Sequence, residues 1–142
     1  LSIEFINTER ELSTLIKKNQ FPLILGEGSN TVFVEDYHGK VGKINLKGMQ
    51  IEEQREFYRI RVQAGENWHQ LVCQLVQKGI HGLENLALIP GSGGAAPVQN
   101  IGAYGAELAD YCESVNCYDS TTNESLLLSK DECEFGYRGQ HI

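Results

Sequence analysis

A chain of 142 residues, 41% hydrophobic and 22% charged, has the make-up of a globular protein and the length of one domain, or of two small lobes sharing an interface. Its formal charge of −7 argues against nucleic acid or an anionic membrane as partner. Any phosphate bound here has to be met by local backbone N–H groups rather than by a basic face.

No basic-then-apolar leader and no apolar run of about 18 residues stands in the sequence, so neither secretion nor membrane spanning is indicated. The expectation is a cytoplasmic protein. The cysteines Cys73, Cys112, Cys117 and Cys133 form no C-x-x-C pair and have no His at zinc-ligand spacing, which predicts reduced, partly buried thiols and no metal. The only methionine is Met49, the chain begins at Leu1, and it stops at Ile142 just after a motif. A piece of a longer protein is expected.

In chain order, Ile3, Phe5 and Ile6 predict a short strand. Thr8-Glu9-Arg10-Glu11 then fits a capping box, with Leu12, Leu15 and Ile16 on one face of a helix ending near Asn19. Residues 21–25 return as a strand, giving a β-α-β unit with parallel strands. After the turn Gly26-Glu27-Gly28-Ser29-Asn30, the β-branched and aromatic run Thr31-Val32-Phe33-Val34 predicts a strand over 31–35, and Val41–Leu46 a further one. Met49–Glu53 and Phe57–Gln63 read as two strands, the second wet on the side of Arg59 and Arg61. A helix from Asn67 to Lys78 buries Trp68, Leu71, Val72, Leu75 and Val76 and is ended by Gly79. Beyond the central loop, Glu113–Tyr118 and Ser125–Leu128 predict a hairpin around Asp119–Asn123. Ser129-Lys130-Asp131-Glu132 is a second capping box, predicting a short helical turn before Phe135-Gly136-Tyr137-Arg138.

Two glycine-rich stretches carry the chemistry. Pro90-Gly91-Ser92-Gly93-Gly94-Ala95-Ala96, followed by Gly102 and Gly105, has its N–H groups uncovered by side chains, as an anion cradle requires. A floppy surface linker is the bland alternative, but Leu86, Leu88, Ile89, Val98 and Ile101 predict a packed segment. The G-x-G of Gly26 and Gly28 imitates the start of a dinucleotide fingerprint. That fingerprint needs a helix behind it, and the sequel here favours a strand, so a Rossmann reading is disfavoured. From pattern alone the chain reads as an anion-binding α+β domain.

GEGSN at 26–30, AGENWHQLV at 64–72, GLENLALIPG at 82–91, PVQNIGAYG at 97–105 and FGYR at 135–138 together resemble the UDP-N-acetylenolpyruvoylglucosamine reductase family. The resemblance runs from about Phe21 to Arg138 with five motifs in order. It implies an α+β, two-lobed FAD-binding domain of the vanillyl-alcohol-oxidase/PCMH type, residues 1–46 forming the first lobe and 47–142 the second, with the carboxy-terminal substrate domain absent. The implied reaction is NADPH-dependent reduction of a UDP-sugar enolpyruvate to UDP-N-acetylmuramate for peptidoglycan, the fragment alone being inactive. Carried over by residue, Gly26, Gly28, Ser29 and Asn30 form one wall of the FAD site. Pro90, Gly91, Ser92, Gly94, Gln99, Asn100, Gly102 and Gly105 supply the other. Arg138 is the implied cation for the substrate carboxylate and developing enolate, and Tyr137 flanks flavin and substrate.

The chain departs from the family at Ala95-Ala96, where some relatives have two serines, and at Gly139-Gln140, where relatives have Asp-Ser. Phosphate contacts at Ala95 and Ala96 are then expected from main-chain N–H groups. His38, His69 and His81 are expected as exposed or packing residues, and His141 is not assumed to replace a missing catalytic group. Two rivals stay open: an FAD-dependent oxidase of an alcohol or sugar, and a non-enzymatic nucleotide-binding module.

Overall fold

The computed structural model, which describes residues 2–18 and 23–136, builds its first sheet from three parallel strands. These are β1 (Ser2–Ile6), β2 (Leu23–Leu25) and β3 (Lys40–Ile44), in the order β1-β3-β2. Tyr137 and Arg138, and the first two residues of the predicted strand 21–25, lie outside the described residues. Helix α1 (Glu9–Lys17) joins β1 to β2 as the capping pattern predicts. The Thr8 hydroxyl accepts the Glu11 N–H at 3.1 Å, and the Glu11 carboxylate accepts the Asn7 N–H at 2.7 Å. The two strands of the β-α-β unit are parallel, but β3 lies between them and takes both ladders. Ile6 and Val41 are buried at its heart.

The predicted strand over 31–35 is not formed. Thr31 donates to the Gly28 carbonyl in a turn, and the chain then runs as a loop with Val32 86% and Val34 91% exposed. β-Branched residues favour strands because they pack on a pleated surface beside a neighbour. Here β3 already has partners on both sides, and the three-residue β2 carries no further strand among the described residues.

Residues 49–62 form the antiparallel pair β4 (Met49–Glu53) and β5 (Tyr58–Val62), with Ile51 opposite Ile60. Helix α2 (Trp68–Gln77) follows, its N-cap Asn67 accepting from the Gln70 N–H at 3.0 Å. Its end is a Schellman motif. Gly79, at φ +75°, donates to Val76 O, and Ile80 donates back to Leu75 O. Trp68, Leu71, Val72 and Leu75 are buried as predicted, and they form the main core with Leu86, Ala96, Ile101 and Leu108. Val76 is corrected: at 38% exposed it stands off the buried stripe, on the rim where the helix turns toward solvent.

Three short elements within the central segment were not expected. A single-turn helix α3 (Ala95–Val98) accommodates Pro97 in its first turn, where a missing N–H costs nothing. Strands β6 (Gly102–Ala103) and β7 (Ala106–Glu107) make a hairpin whose central residues, Tyr104 at φ +53° and Gly105 at φ +78°, have the geometry of a type I′ turn.

The predicted second hairpin is present as β8 (Ser114–Asp119) and β9 (Glu124–Ser129). Asp119 accepts the Thr121 N–H at 2.7 Å, closing its turn. Ser129 and Glu132 exchange the reciprocal capping bonds, starting a turn that runs to Glu134. Arg59 of β5 grips Glu113, just before β8, with a fork at 2.7 and 3.0 Å, and this holds the Glu113 carboxyl below its ordinary range. All four thiols are free, and burial pushes those of Cys112, Cys117 and Cys133 up. Among the described residues no helix is long and apolar enough to cross a membrane, and no His, Cys, Asp and Glu cluster has the makings of a metal site.

Candidate functional site

The two glycine turns, more than sixty residues apart in sequence, face each other across a cleft of ≈ 480 Å³. The first leaves β2 as Gly26–Asn30 and needs glycine at Gly28, whose φ is +72°. The second uses its glycines differently. Only Gly91 takes a positive φ, +135°. Gly93 and Gly94 serve close approach: they donate to the Glu66 and Ala64 carbonyls at 2.8 and 2.9 Å. A Cβ on Gly94 would lie 2.6 Å from the Ala64 Cβ. Trp68 N donates to Gly91 O at 3.0 Å and completes the seam between this turn and residues 64–68.

The two turns approach each other closely, with one hydrogen bond between Asn30 and Gln99 beside them. A Cβ on Gly26 would fall 2.6 Å from the Ser92 Oγ, and one on Gly91 3.7 Å from the Ser29 Oγ. The Asn30 amide donates to the Gln99 side-chain carbonyl at 2.9 Å. Gly26, Gly28, Ser29, Asn30, Pro90, Gly91, Ser92, Gly94 and Gln99 all line the cleft. Asn100, Gly102 and Gly105 do not. Asn100, at φ +42° and 6% exposed, is spent on structure: its Oδ1 accepts the Ala109 N–H at 2.9 Å and its Nδ2 donates to Gly136 O. Gly102 and Gly105 belong to the β6–β7 hairpin.

Which N–H groups face the cleft uncommitted decides what it can hold. The expectation for Ala95 and Ala96 is overturned, because both donate to Ser92 O, at 3.1 and 3.0 Å, in the first turn of α3. Those of Gly93 and Gly94 are taken as well. By contrast, the N–H groups of Gly26, Glu27, Gly28, Ser29, Asn30, Gly91 and Ser92 meet no acceptor among the described residues. The Ser92 side chain is 2% exposed, lines the cleft, and its hydroxyl has no partner among the described residues either. Residues 27–30 are exposed, so water can serve their N–H groups, and donors left uncommitted by the protein around a concavity are what an anion requires. The remaining wall is apolar, from Ile24, Leu25, Ile44, Ala64, Trp68 and Val98, so one end suits phosphate and the rest a flat organic group.

Trp68, Ala64 and Ile44 were not singled out as site residues from sequence. Trp68 signals itself only by lying at a helix start inside a motif, and its role is double. It lines the cleft, and its indole N–H donates to the buried Leu86 carbonyl at 2.8 Å. Trp68→Phe keeps the aromatic wall and removes that donor. A loss of about 1–3 kcal/mol in urea unfolding is expected, the scale for leaving a buried carbonyl unpaired. An unchanged midpoint and slope would show that bond to be worthless.

The comparisons with known proteins agree with this geometry. A family described as an FAD binding domain matches residues 5–123. The UDP-N-acetylenolpyruvoylglucosamine reductase of Pseudoalteromonas translucida is 57% identical over 133 residues, covering 94% of this chain and 39% of that protein. That of Pasteurella multocida is 51% identical over 121 residues, covering 84% of this chain and 36% of its own length. The crystal structure of UDP-N-acetylenolpyruvylglucosamine reductase from Thermus caldophilus superposes with a TM-score of 0.75 at 28% identity, over 99% of this chain and 50% of that one. The chain thus spans less than two-fifths of the length of these curated relatives.

Proposed function

The chain belongs to the FAD-binding domain family, with UDP-N-acetylenolpyruvoylglucosamine reductases as its sequence relatives, and from this we propose that the cleft holds FAD for that reaction. The proposed activity is reduction by NADPH of UDP-N-acetylglucosamine enolpyruvate to UDP-N-acetylmuramate, a step of peptidoglycan precursor synthesis carried out in the cytoplasm. When bound, FAD supplies the two-electron chemistry that links NADPH to the enolpyruvyl ether. The residues of this chain bind and orient. The N–H groups of Gly26–Asn30, Gly91 and Ser92, with the Ser92 hydroxyl, meet the diphosphate, while Trp68 and the aliphatic wall exclude water from the organic part.

The finer architecture in this reading is a two-lobed domain of the vanillyl-alcohol-oxidase/PCMH type, divided at residues 46 and 47. The parallel sheet within residues 2–44, with the remaining elements from Met49 onward, supports that division. Asn100, Gly102 and Gly105 act in this reading by shaping the hairpin beside the cleft. Tyr137 and Arg138 are proposed to serve the substrate.

The observation that carries the proposal is the set of unpaired donors. It makes the diphosphate the part of the cofactor that matters. FAD is expected to bind roughly ten- to a hundredfold more tightly than riboflavin, as loss of several charge-assisted hydrogen bonds implies. Titration followed by flavin fluorescence checks this. Equal affinity for the two flavins would show that the glycine turns do not hold the anion.

A further inference from the structure

Among the described residues, Glu27 is the only charged one that lines the cleft, and it carries the wrong sign for an anion. It stands in the middle of the turn Gly26–Asn30, which lines the cleft and whose N–H groups meet no acceptor among the described residues. A carboxylate there, left to itself, would raise a negative potential where two phosphate charges have to sit. The fold supplies a counter-charge from one particular place. The β2–β3 register sets Lys43 beside Leu25, two residues before Glu27, and the Lys43 ammonium lies 3.5 Å from the Glu27 carboxylate. Both side chains are about one-third exposed, 33% and 31%, so water screens the pair only in part. The other lysine at the ends of β3, Lys40, is engaged with Glu4, 3.1 Å away.

We propose that Lys43 is a positioning residue for the cofactor: it holds and neutralises Glu27, so that the turn presents its N–H groups to the diphosphate without an opposing charge. This rests on the FAD reading above and adds to it a residue outside the cleft lining. It also explains how a chain of net charge −7, with no basic residue among the described residues that line the cleft, keeps an anion site. Lys43 touches neither phosphate nor flavin in this account. Its effect passes through Glu27.

The test is flavin titration of the complete gene product and its variants at low and high salt, with thermal melting to confirm folding. Lys43→Gln is expected to weaken FAD roughly fivefold to twentyfold at low ionic strength, less at 0.5 M salt, and to leave riboflavin affinity unchanged. Lys43→Arg should keep FAD affinity. Glu27→Gln added to Lys43→Gln should restore it, because the charge needing compensation is gone. A purely structural role for Lys43 would lower FAD and riboflavin binding together and would show no rescue. Unchanged FAD affinity in Lys43→Gln, or parallel loss of both flavins, overturns the proposal. If Lys43→Gln does not fold, Glu27→Gln alone decides: FAD bound as tightly as before or tighter upholds it, and weaker binding overturns it. Failure of the unmodified protein to bind FAD is a separate outcome, which removes the cofactor reading and this inference with it.

Discussion

Gly94→Val is expected to cost roughly 3 kcal/mol or more of stability, whereas Gly28→Val should leave a folded protein that has lost FAD. One glycine lies in each turn, and the family resemblance implies one cause for both, a backbone free to take positive φ beside the pyrophosphate. Their surroundings differ. Gly94 is not at positive φ; it sits at φ −74°, and a Cβ there meets the Ala64 Cβ at 2.6 Å and the Ala64 Cα and O at 3.0 and 3.1 Å. Two of those atoms are backbone, so the seam between residues 64–68 and 91–94 has to open. That places the penalty at the upper end of overpacking, since Trp68 and Ala96, next in sequence to the seam, belong to the main core. Gly28 has no heavy atom within 4 Å of its Cβ position, but its φ of +72° resists a β-branched residue, and the new side chain stands at the cleft wall. Urea unfolding and FAD titration on the same preparations separate the two. Equal stability of Gly94→Val and the unmodified protein would mean the seam yields easily; undiminished FAD binding in folded Gly28→Val would detach the first turn from the cofactor.

Elements whose local chemistry agrees with their packing were legible. Thr8 and Glu11 cap α1, Gly79 ends α2, and Asp119 closes the β8–β9 turn, all through interactions within a few residues. The predicted strand over 31–35 failed because its β-branched side chains need a neighbour that the parallel sheet gives to β1 and β2 instead. The α3 turn and the β6–β7 hairpin escaped for the opposite reason: Ala-Ala-Pro-Val and Ala-Tyr-Gly-Ala carry weak propensities, and contacts with the main core decide them. In the site, the glycine spacing pointed to the two turns that line the cleft. It did not reveal which N–H groups are spent. The commitments of Gly93, Gly94, Ala95 and Ala96 run to Glu66, Ala64 and Ser92, and only coordinates expose them. Lys43 was invisible for a related reason, since its tie to Glu27 arises from strand register across sixteen residues and not from any motif.

Arg138→Ala is expected to slow turnover of the enolpyruvyl substrate by roughly thirty- to a thousandfold while leaving FAD bound. Arg138 follows Tyr137 in the FGYR motif, beyond the described residues, so its role rests on the family resemblance and on the charge the reaction creates. Reduction of an enolpyruvyl ether puts carbanion or enolate character beside a carboxylate, and a guanidinium offers that pair a planar fork of donors. Removing one such preorganised group costs about 2–4 kcal/mol of barrier, which is the range given. The effect should fall on one half-reaction. In the proposed reaction, consumption of NADPH does not involve the substrate carboxylate, and it is expected to proceed nearly as before. Arg138→Lys should recover part of the rate, because an ammonium supplies charge but not the two parallel bonds. Stopped-flow measurement of the two half-reactions on the complete gene product, with FAD content checked by absorbance, decides the matter. Slowing confined to the substrate half supports Arg138 as the catalytic cation. Unaltered rates in both halves would remove it from the mechanism, and loss of FAD from the Ala variant would instead make it a residue of the cofactor site.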